Sequence, residues 1–370
     1  MATKILITGP ADPTLVGGQV THLKNLEKLK EYDTDLKIEL FNTAISVGSY
    51  CNKIFRVVKF IFSLLNFSLK ANRFCVVHIN STMNNYSFLR DSSYAIISIV
   101  FRRKIVFQYH GGNPEDISLL KYSFFSKLFS FVAGRCEIIL VLTIRQKNSL
   151  ISRFGIYARV VRNYVELPMS KKDREYCGVI RLLYLGRLNK EKGVFEFIEA
   201  CRLLKLNGFT FTLTVAGSGP EFENLKEYAI NLGMEDRIEF LGEVKGYHKQ
   251  QVLERAHMMV LPSYSEGLPY GILEGIANGL VIVSTRVGAI PEILDEENEV
   301  VFVKLRDPRS LFETIANLIS HPEKMALMAS CSYEKSKQFS FEKMADLYLK
   351  VWSGIKFEKS FATHNNPHDI

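Results

Sequence analysis

One feature constrains this chain more than any other. Short runs rich in β-branched and aromatic residues alternate with longer segments of helical period from end to end. The short runs fall at 4–8, 36–41, 76–80, 104–109, 138–143 and 160–162, then at 180–186, 210–216, 238–241, 258–261, 281–284 and 299–303. Between them lie helical stretches such as 19–30, 193–207, 221–232, 248–256 and 308–318. Such alternation predicts parallel sheets covered on both faces by helices, because parallel strands need a crossover and helices supply it. The pattern restarts near residue 178, after a polar stretch at 166–178 that contains Pro168 and no apolar period. The expected architecture is therefore two doubly wound α/β domains in tandem. The first spans 1–167, a linker 168–178 follows, and the second spans 179–340. A last helix, 341–358, should pack back toward the first domain, and 359–370 should be a loose tail.

Composition agrees and narrows the class. The chain has 370 residues, 47% apolar and 23% charged, which suits a globular protein and excludes disorder, collagen-like repeats and coiled coil. At roughly 150 residues per domain the length allows two separate cores. The net charge of +8 is uneven: residues 1–165 hold 22 basic and 10 acidic side chains, whereas 166–370 hold 25 and 29. A basic first half points to an anionic partner, a membrane surface or a nucleic acid. No nucleic-acid module pattern is present, so no nucleic-acid partner is expected. The cysteines at 51, 75, 136, 177, 201 and 331 form no C-x-x-C pair and read as reduced thiols or core residues of a cytoplasmic protein. No secretory signal is evident at the start. The apolar runs at 60–69 and 92–101 are cut short by Lys59, Lys70, Arg102 and Arg103, below the roughly 18–20 residues a membrane span needs.

Open α/β sheets bind ligands at the carboxyl ends of their strands, so the chemistry is sought in the loops after strands. The first strand is followed by Gly17-Gly18-Gln19 at a helix start. Two glycines there either admit an anionic or hydroxyl-rich ligand close to backbone N–H groups or only make a flexible turn. The G-x-G-x-x-G fingerprint of dinucleotide binding is missing. The run 104–109 leads into His110-Gly111-Gly112, which projects an imidazole into the cleft, and Asn163 follows the run 160–162, where a turn-forming role is the simpler reading. In the second half, Gly186-Arg187-Leu188-Asn189-Lys190-Glu191-Lys192-Gly193 places a forked guanidinium and a compact ammonium where a helix begins. Gly217-Ser218-Gly219 makes a glycine turn after the next strand. Then come Glu266-Gly267-Leu268-Pro269-Tyr270-Gly271 and, on the following helix, Glu274. The N–H groups of Leu268, Tyr270 and Gly271 can point at phosphate or sugar oxygens, while Pro269 has none to give.

These residues, with Gly288…Pro291-Glu292 behind them, resemble the retaining glycosyltransferases of the GT-B fold, the "glycosyl transferases group 1" type. The likeness is strongest over 180–300, and in the first half it rests on Gly17, Gly18, His110 and Asn163. It implies two Rossmann-like domains facing across a cleft, the first binding an acceptor and the second a nucleoside diphosphate sugar. It further implies transfer of a hexose with retention at the anomeric carbon. The positions matching Arg187 and Lys192 would hold the diphosphate in place of a metal, so no metal and no cofactor are expected. Glu266 would contact the sugar hydroxyls, Glu274 the ribose, and His110 would orient the donor sugar. Gly17, Gly18, Asn163, Gly217, Gly219, Leu268, Tyr270 and Gly271 complete the expected donor site. The leaving phosphate oxygen would take the acceptor's proton, so no dedicated base is needed. The acceptor would be a glycan or a lipid-linked precursor of cell-surface polysaccharide. Alternatives on the same fold are a sugar-nucleotide epimerase, a phosphorylase, or a non-catalytic nucleotide-binding protein at a membrane surface.

Two departures from the family pattern stand out. Ala277-Asn278-Gly279-Leu280 lacks the usual proline, and Tyr164 follows Asn163 where glycine is common, a change expected to narrow the donor pocket. Asp33-Thr34-Asp35 mimics a metal-binding D-x-D but precedes a strand, away from the cleft, and reads as a surface turn.

Between residues 40 and 90 there is not one Asp or Glu. Within 53–70 the polar positions 53, 56, 59, 63, 66 and 70 trace one narrow stripe on an otherwise apolar helix. Such a helix either lies in an anionic membrane surface, giving a peripheral protein on the inner face of the cell membrane, or is a core helix with a thin solvent stripe.

Overall fold

Two six-stranded sheets, parallel throughout, organise the chain in the computed structural model, which describes residues 3–11, 17–33, 35–44, 53–82, 85–110, 123–170 and 173–354. The first lobe runs β1 (Thr3–Gly9), α1 (Gly18–Tyr32), β2 (Leu36–Asn42), α2 (Lys53–Ala71), β3 (Val76–Thr82) and α3 (Asn85–Val100). It continues through β4 (Lys104–His110), α4 (Ser123–Ala133), β5 (Ile138–Val141), α5 (Ile144–Phe154) and β6 (Arg159–Val160). The second lobe begins with β7 (Ile180–Leu185), α6 (Val194–Leu206), β8 (Phe211–Ala216), α7 (Phe222–Asn231), β9 (Ile238–Gly242) and α8 (Gly246–Arg255). Then follow β10 (Met258–Leu261), α9 (Tyr270–Ala277), β11 (Val281–Thr285), α10 (Ile290–Ile293), β12 (Val300–Val303), α11 (Pro308–Ile319) and α12 (Pro322–Ser336). The last helix is α13 (Phe341–Gly354).

Strand order decides where a ligand can enter. The first sheet runs β2-β1-β3-β4-β5-β6 and the second β12-β11-β10-β7-β8-β9. The order reverses between β1 and β3 in one lobe and between β7 and β10 in the other. At such points the loops on the carboxyl side diverge and leave a crevice. The loops that hold Lys192 and Glu266 follow β7 and β10, the two strands at the second reversal.

Among its described residues the linker stretch forms no helix or strand of its own, and it is tied down by Arg174. Arg174 donates to the carbonyls of Leu253 and Ala256 at the end of α8 and of Asn278 after α9, where unsatisfied carbonyls gather. The chain passes between lobes twice, and the two passages lie side by side: Val165 bridges to Ser340, with the Val165 N–H on the Phe339 carbonyl at 2.9 Å. Beyond that crossing α13 returns to the first sheet. Phe341, Ala345, Tyr348, Val351 and Trp352 share a buried cluster with Ile5, Ile7, Leu23, Val106 and Leu140. The expected tail at 359–370 lies outside the described residues.

Helix α2 differs from the core-helix alternative. Only Phe67 and Ala71 are buried, with Phe60 and Leu64 partly covered against the same core, while Ile54, Val58, Ile61, Phe62, Leu65 and Leu69 are exposed. Ser63, one of the supposed solvent-stripe positions, instead turns inward to the Tyr94 hydroxyl at 2.8 Å. The exposed face is thus the apolar one. Among the described residues no helix is long and apolar enough to cross a membrane.

Candidate functional site

The loop after β7 ends in a 3-10 turn, Lys190–Lys192, closed by Gly193. Gly193 has φ +68° and lies against the Pro262 carbonyl, where a Cβ would stand 2.2 Å from the oxygen. Only glycine combines that conformation with so close an approach. The loop after β10 is held to the same turn by the Tyr264 N–H on the Glu191 carbonyl at 2.8 Å. These constraints bring Lys192 to Glu266, with Nζ 2.6 Å from Oε1, and both side chains are largely covered. Gly288, at φ +58°, fixes the other side of Glu266: its neighbour Ala289 donates to the Gly267 carbonyl at 2.7 Å.

Arg187 has a different environment. Its backbone carbonyl accepts from the Tyr184 hydroxyl at 2.8 Å, while its side chain is exposed. Gly217 and Gly219 rest on the carbonyls of Gly186 and Leu188, so they hold the Arg187 loop as well as bordering the crevice. Glu274, on α9, is bound by Lys249 of α8 at 2.6 Å. The lysine is about two-thirds covered and the carboxylate nearly so. Sequence reasoning missed Lys249, because nothing in a helix of ordinary composition says which neighbouring helix its ammonium will meet.

Helix α9 starts at the seam between lobes. No side chain caps it, so its first N–H groups have no intrahelical partner and present the positive end of the helix dipole. Gly271 allows this start to press on the end of β7, a Cβ there falling 2.9 Å from the Leu185 carbonyl. From the opposite lobe Asn163 donates Nδ2 to the Leu268 carbonyl at 2.7 Å, and its Oδ1 is buried without a partner. Gly18 faces the Tyr270 ring, and Gly17, at φ +142°, forms the uncapped start of α1. Leu268 is buried. The structure therefore gathers Lys192, Glu266, Leu268, Tyr270, Gly271, Gly18 and Asn163 around one seam.

His110 ends β4 and is buried, its Nε2 2.8 Å from Asn80 Oδ1. Asn80 in turn donates to the Thr8 carbonyl at 3.1 Å, so strands β1, β3 and β4 together aim the ring. His22 stacks near it with centroids 4.3 Å apart. His78, one strand inward, bonds Gln108 at 3.0 Å and takes the Trp352 indole N–H at 3.3 Å. Burial pulls the pKa of His110 and of His78 down to about 3 and lowers that of His22 as well. All three are neutral at ordinary pH. His22 lies four residues after Gly18, on the same helix face, and Asn80 closes the short run 76–80, two residues before the end of β3. Both had a positional signal that the residue types alone did not announce.

Tyr164 does not narrow a donor pocket. Its ring is fully buried against Phe341, centroids 5.2 Å apart, and fills the seam beneath α13. The Asp33-Thr34-Asp35 turn follows α1, Asp33 Oδ1 accepting the Asp35 N–H at 2.9 Å; Thr34 lies outside the described residues, as do Gly111 and Gly112. Among the described residues no group of three or more His, Cys, Asp or Glu side chains could hold a metal ion.

An ammonium, an uncapped helix start, two lysine-held carboxylates and a neutral imidazole suit a ligand both anionic and hydroxylated. The match to known proteins is of that kind: residues 169–335 fit the family Glycosyl transferases group 1. Over this part the chain is similar to the group 1 glycosyltransferases. WcaL of Escherichia coli K12, named for colanic acid biosynthesis, is 30% identical over 143 residues, 37% of this chain and 35% of WcaL. The glycosyltransferase MJ1178 of Methanocaldococcus jannaschii is 24% identical over 349 residues, 92% of this chain and 95% of its own. Among solved structures, Anabaena HepE in complex with UDP and glucose superposes with a TM-score of 0.74 at 16% identity, over 95% of this chain and 100% of HepE. The chain thus spans about a third of WcaL but nearly the whole of MJ1178, and its fold is GT-B.

Proposed function

We propose that the protein is a retaining hexosyltransferase that moves a sugar from a nucleoside diphosphate donor to a glycan or lipid-linked acceptor in cell-surface polysaccharide synthesis. The observation that carries this reading is the Lys192–Glu266 pair beside the uncapped start of α9. A diphosphate seated at that start would draw Lys192 from Glu266, leaving the carboxylate for sugar hydroxyls. Arg187, exposed on the adjoining loop, would swing onto the same phosphates. Charge building on the departing diphosphate is then met by two cations and a helix dipole, the electrostatic help that speeds such a departure, with no metal needed. HepE, solved with UDP and glucose, supports a nucleotide-sugar donor of this type.

What supports a retaining course is that no base stands ready among the described side chains of the site. Glu274 is held by Lys249, Glu266 would be engaged by the sugar hydroxyls once Lys192 leaves it, and His110 is bonded to Asn80 and too acidic when protonated to serve as a base. The leaving phosphate oxygen, released on the face where the acceptor hydroxyl attacks, is the remaining proton acceptor. Glu274 would take the ribose hydroxyls, and His110 would orient the donor sugar. The reading places the enzyme in the cytoplasm, in peripheral contact with an anionic membrane surface through residues 53–70.

A panel of nucleotide sugars, scored for acceptor-independent hydrolysis and for transfer, tests the proposal. Lys192→Ala and Glu274→Ala should each abolish turnover while circular dichroism stays unchanged. Full activity in both variants overturns the assignment, and formation of an epimer without acceptor replaces it with the epimerase reading.

A further inference from the structure

The first lobe carries an apolar surface larger than one helix. On α2 the exposed residues Ile54, Val58, Ile61, Leu65 and Leu69 recur at helical spacing and make a continuous stripe. Helix α3 packs beside α2, and α4 beside α3. Leu89, Ile96 and Val100 are exposed on α3, and Ser93 between them turns its hydroxyl back onto the Leu89 carbonyl. Phe124 and Phe131 are exposed on α4. Monomeric surfaces seldom leave so many large apolar side chains together without a partner.

The charge on this face is mainly of one sign. Helices α2 and α4 contain no Asp or Glu, and the single acidic residue of α3, Asp91, is fully buried and held by Arg90 at 2.7 Å. Arg56 and Lys59 are exposed along α2, Lys127 on α4, and Arg102 and Arg135 just past the ends of α3 and α4. Two of these cations lie over exposed rings, Lys59 over Phe55 and Arg135 over Phe131. An apolar centre whose border is mainly cationic, its exposed carboxylates among the described residues being Glu39, paired with Lys70, and Glu137 past the end of α4, complements the acyl boundary and anionic headgroups of a bilayer. It does not complement itself. Two copies placed face to face would oppose a mainly cationic border to another, with few carboxylates to offset it.

We propose that the outer face of α2, α3 and α4 docks flat on a bilayer carrying anionic headgroups, with the cleft opening along the membrane plane. Each of these helices follows a parallel strand and returns antiparallel to it, so its first turn lies toward the carboxyl edge of the sheet, which is the cleft edge. The apolar stripes therefore run from the cleft rim, at Ile54, Leu89 and Phe124, to the far end of the lobe. An acceptor anchored in the bilayer meets the cleft laterally, its lipid remaining in the membrane. The docking rests on the surface alone; the lipid-anchored acceptor rests also on the glycosyl-transfer reading.

The test is co-sedimentation of the full chain with phosphatidylcholine vesicles with and without phosphatidylglycerol. The wild type should sediment only with the anionic vesicles and be released by salt. The exposed-site variant Phe62→Glu/Leu65→Glu, and separately Arg56→Glu/Lys59→Glu, should each lower binding about tenfold or more. Both should leave UDP-sugar hydrolysis in solution unchanged, which separates failure of docking from failure of the transferase reading. Equal binding to both vesicle types, or binding unchanged in the two variants, overturns the proposal. So does a concentration-dependent dimer that either variant abolishes and that excludes vesicles, because the face then belongs to a second copy.

Discussion

The hydroxyl of Tyr270, first residue of α9, lies 3.2 Å from Nδ1 of His22 in α1, and this contact ties the start of the candidate donor helix to the opposite lobe. Tyr348 of α13 sits 3.4 Å from the other ring nitrogen of His22 and bonds Gln108 at 3.0 Å. A chain of buried polar groups thus joins three segments far apart in sequence. Since the ring of His22 lies next to that of His110, the position of α9 and that of the site imidazole are coupled.

Removing the Tyr270 hydroxyl leaves the ring packing intact and His22 short of one partner in a buried place. Tyr270→Phe should lower unfolding free energy by about 1–2 kcal/mol in a denaturant titration. It should also widen the separation of the lobes in small-angle scattering and reduce turnover more than nucleotide affinity, because misplacement of aligned groups costs rate. Unchanged scattering together with unchanged turnover would show that the contact does not set the lobe arrangement.

Lys192 and Glu266 make opposite predictions for nucleotide binding. In the free protein the ammonium is held by the carboxylate, and a diphosphate must displace that partner. Glu266→Gln should therefore bind a nucleoside diphosphate several-fold more tightly while losing transfer, and Lys192→Ala should bind it more weakly and lose transfer too. Isothermal calorimetry with UDP distinguishes the two. Weaker binding in both variants contradicts the competition between carboxylate and diphosphate.

Lys249 extends the same logic to the ribose end. Its ammonium neutralises Glu274, so Lys249→Met leaves a nearly covered carboxylate without its cation. The donor KM should rise about tenfold, in proportion to roughly 1–2 kcal/mol of lost charge-assisted bonding, with kcat moving less. A kcat effect without a KM effect would place Lys249 outside donor binding.

Strand positions were legible from sequence because parallel strands buried on both faces are written as short apolar runs. The runs at 258–261 and 281–284 correspond to β10 and to all but the last residue of β11. Helices α3 and α4 were not foreseen. Their outward faces are apolar too, so no polar period marks them as amphipathic against the core. Site loops were legible where a glycine or proline pattern fixed them, as at Gly193 and Gly267. The partners Lys249, Asn80 and His22 were not, since each acts by meeting a residue brought near only by the folded sheets.

Three neutral imidazoles in one buried region give stability a pH dependence of known sign. His78 and His110 have folded pKa values near 3 and His22 is lowered as well, all below the ordinary imidazole value of about 6.5. The unfolded chain then binds more protons between pH 6.5 and 3, so stability is complete above about pH 6.5 and falls as the pH drops toward 3. His78 and His110 should each cost on the order of 2 kcal/mol at pH 5, and His78→Gln should shallow the slope of melting temperature against pH. A melting temperature flat from pH 7 to pH 4.5 would mean that the rings are not held neutral.

Glu292 joins the lobes at a second point. Its two carboxylate oxygens accept the N–H groups of Ile144 at 2.7 Å and Arg145 at 3.0 Å, the first turn of α5. The next N–H, of Gln146, is taken by the Thr143 hydroxyl at 2.8 Å, so α5 is capped jointly by its own lobe and by the other. A carboxylate at a helix start is favoured both by hydrogen bonding and by the helix dipole. Glu292→Ala should cost about 1–2 kcal/mol and speed hydrogen exchange at Ile144 and Arg145, while Glu292→Gln, which keeps one acceptor, should fall between. Because the cap exists only when the lobes are together, the alanine variant should also shift scattering toward a more open form. Faster exchange in α5 with no change in scattering would make Glu292 a cap alone, with no part in holding the cleft closed.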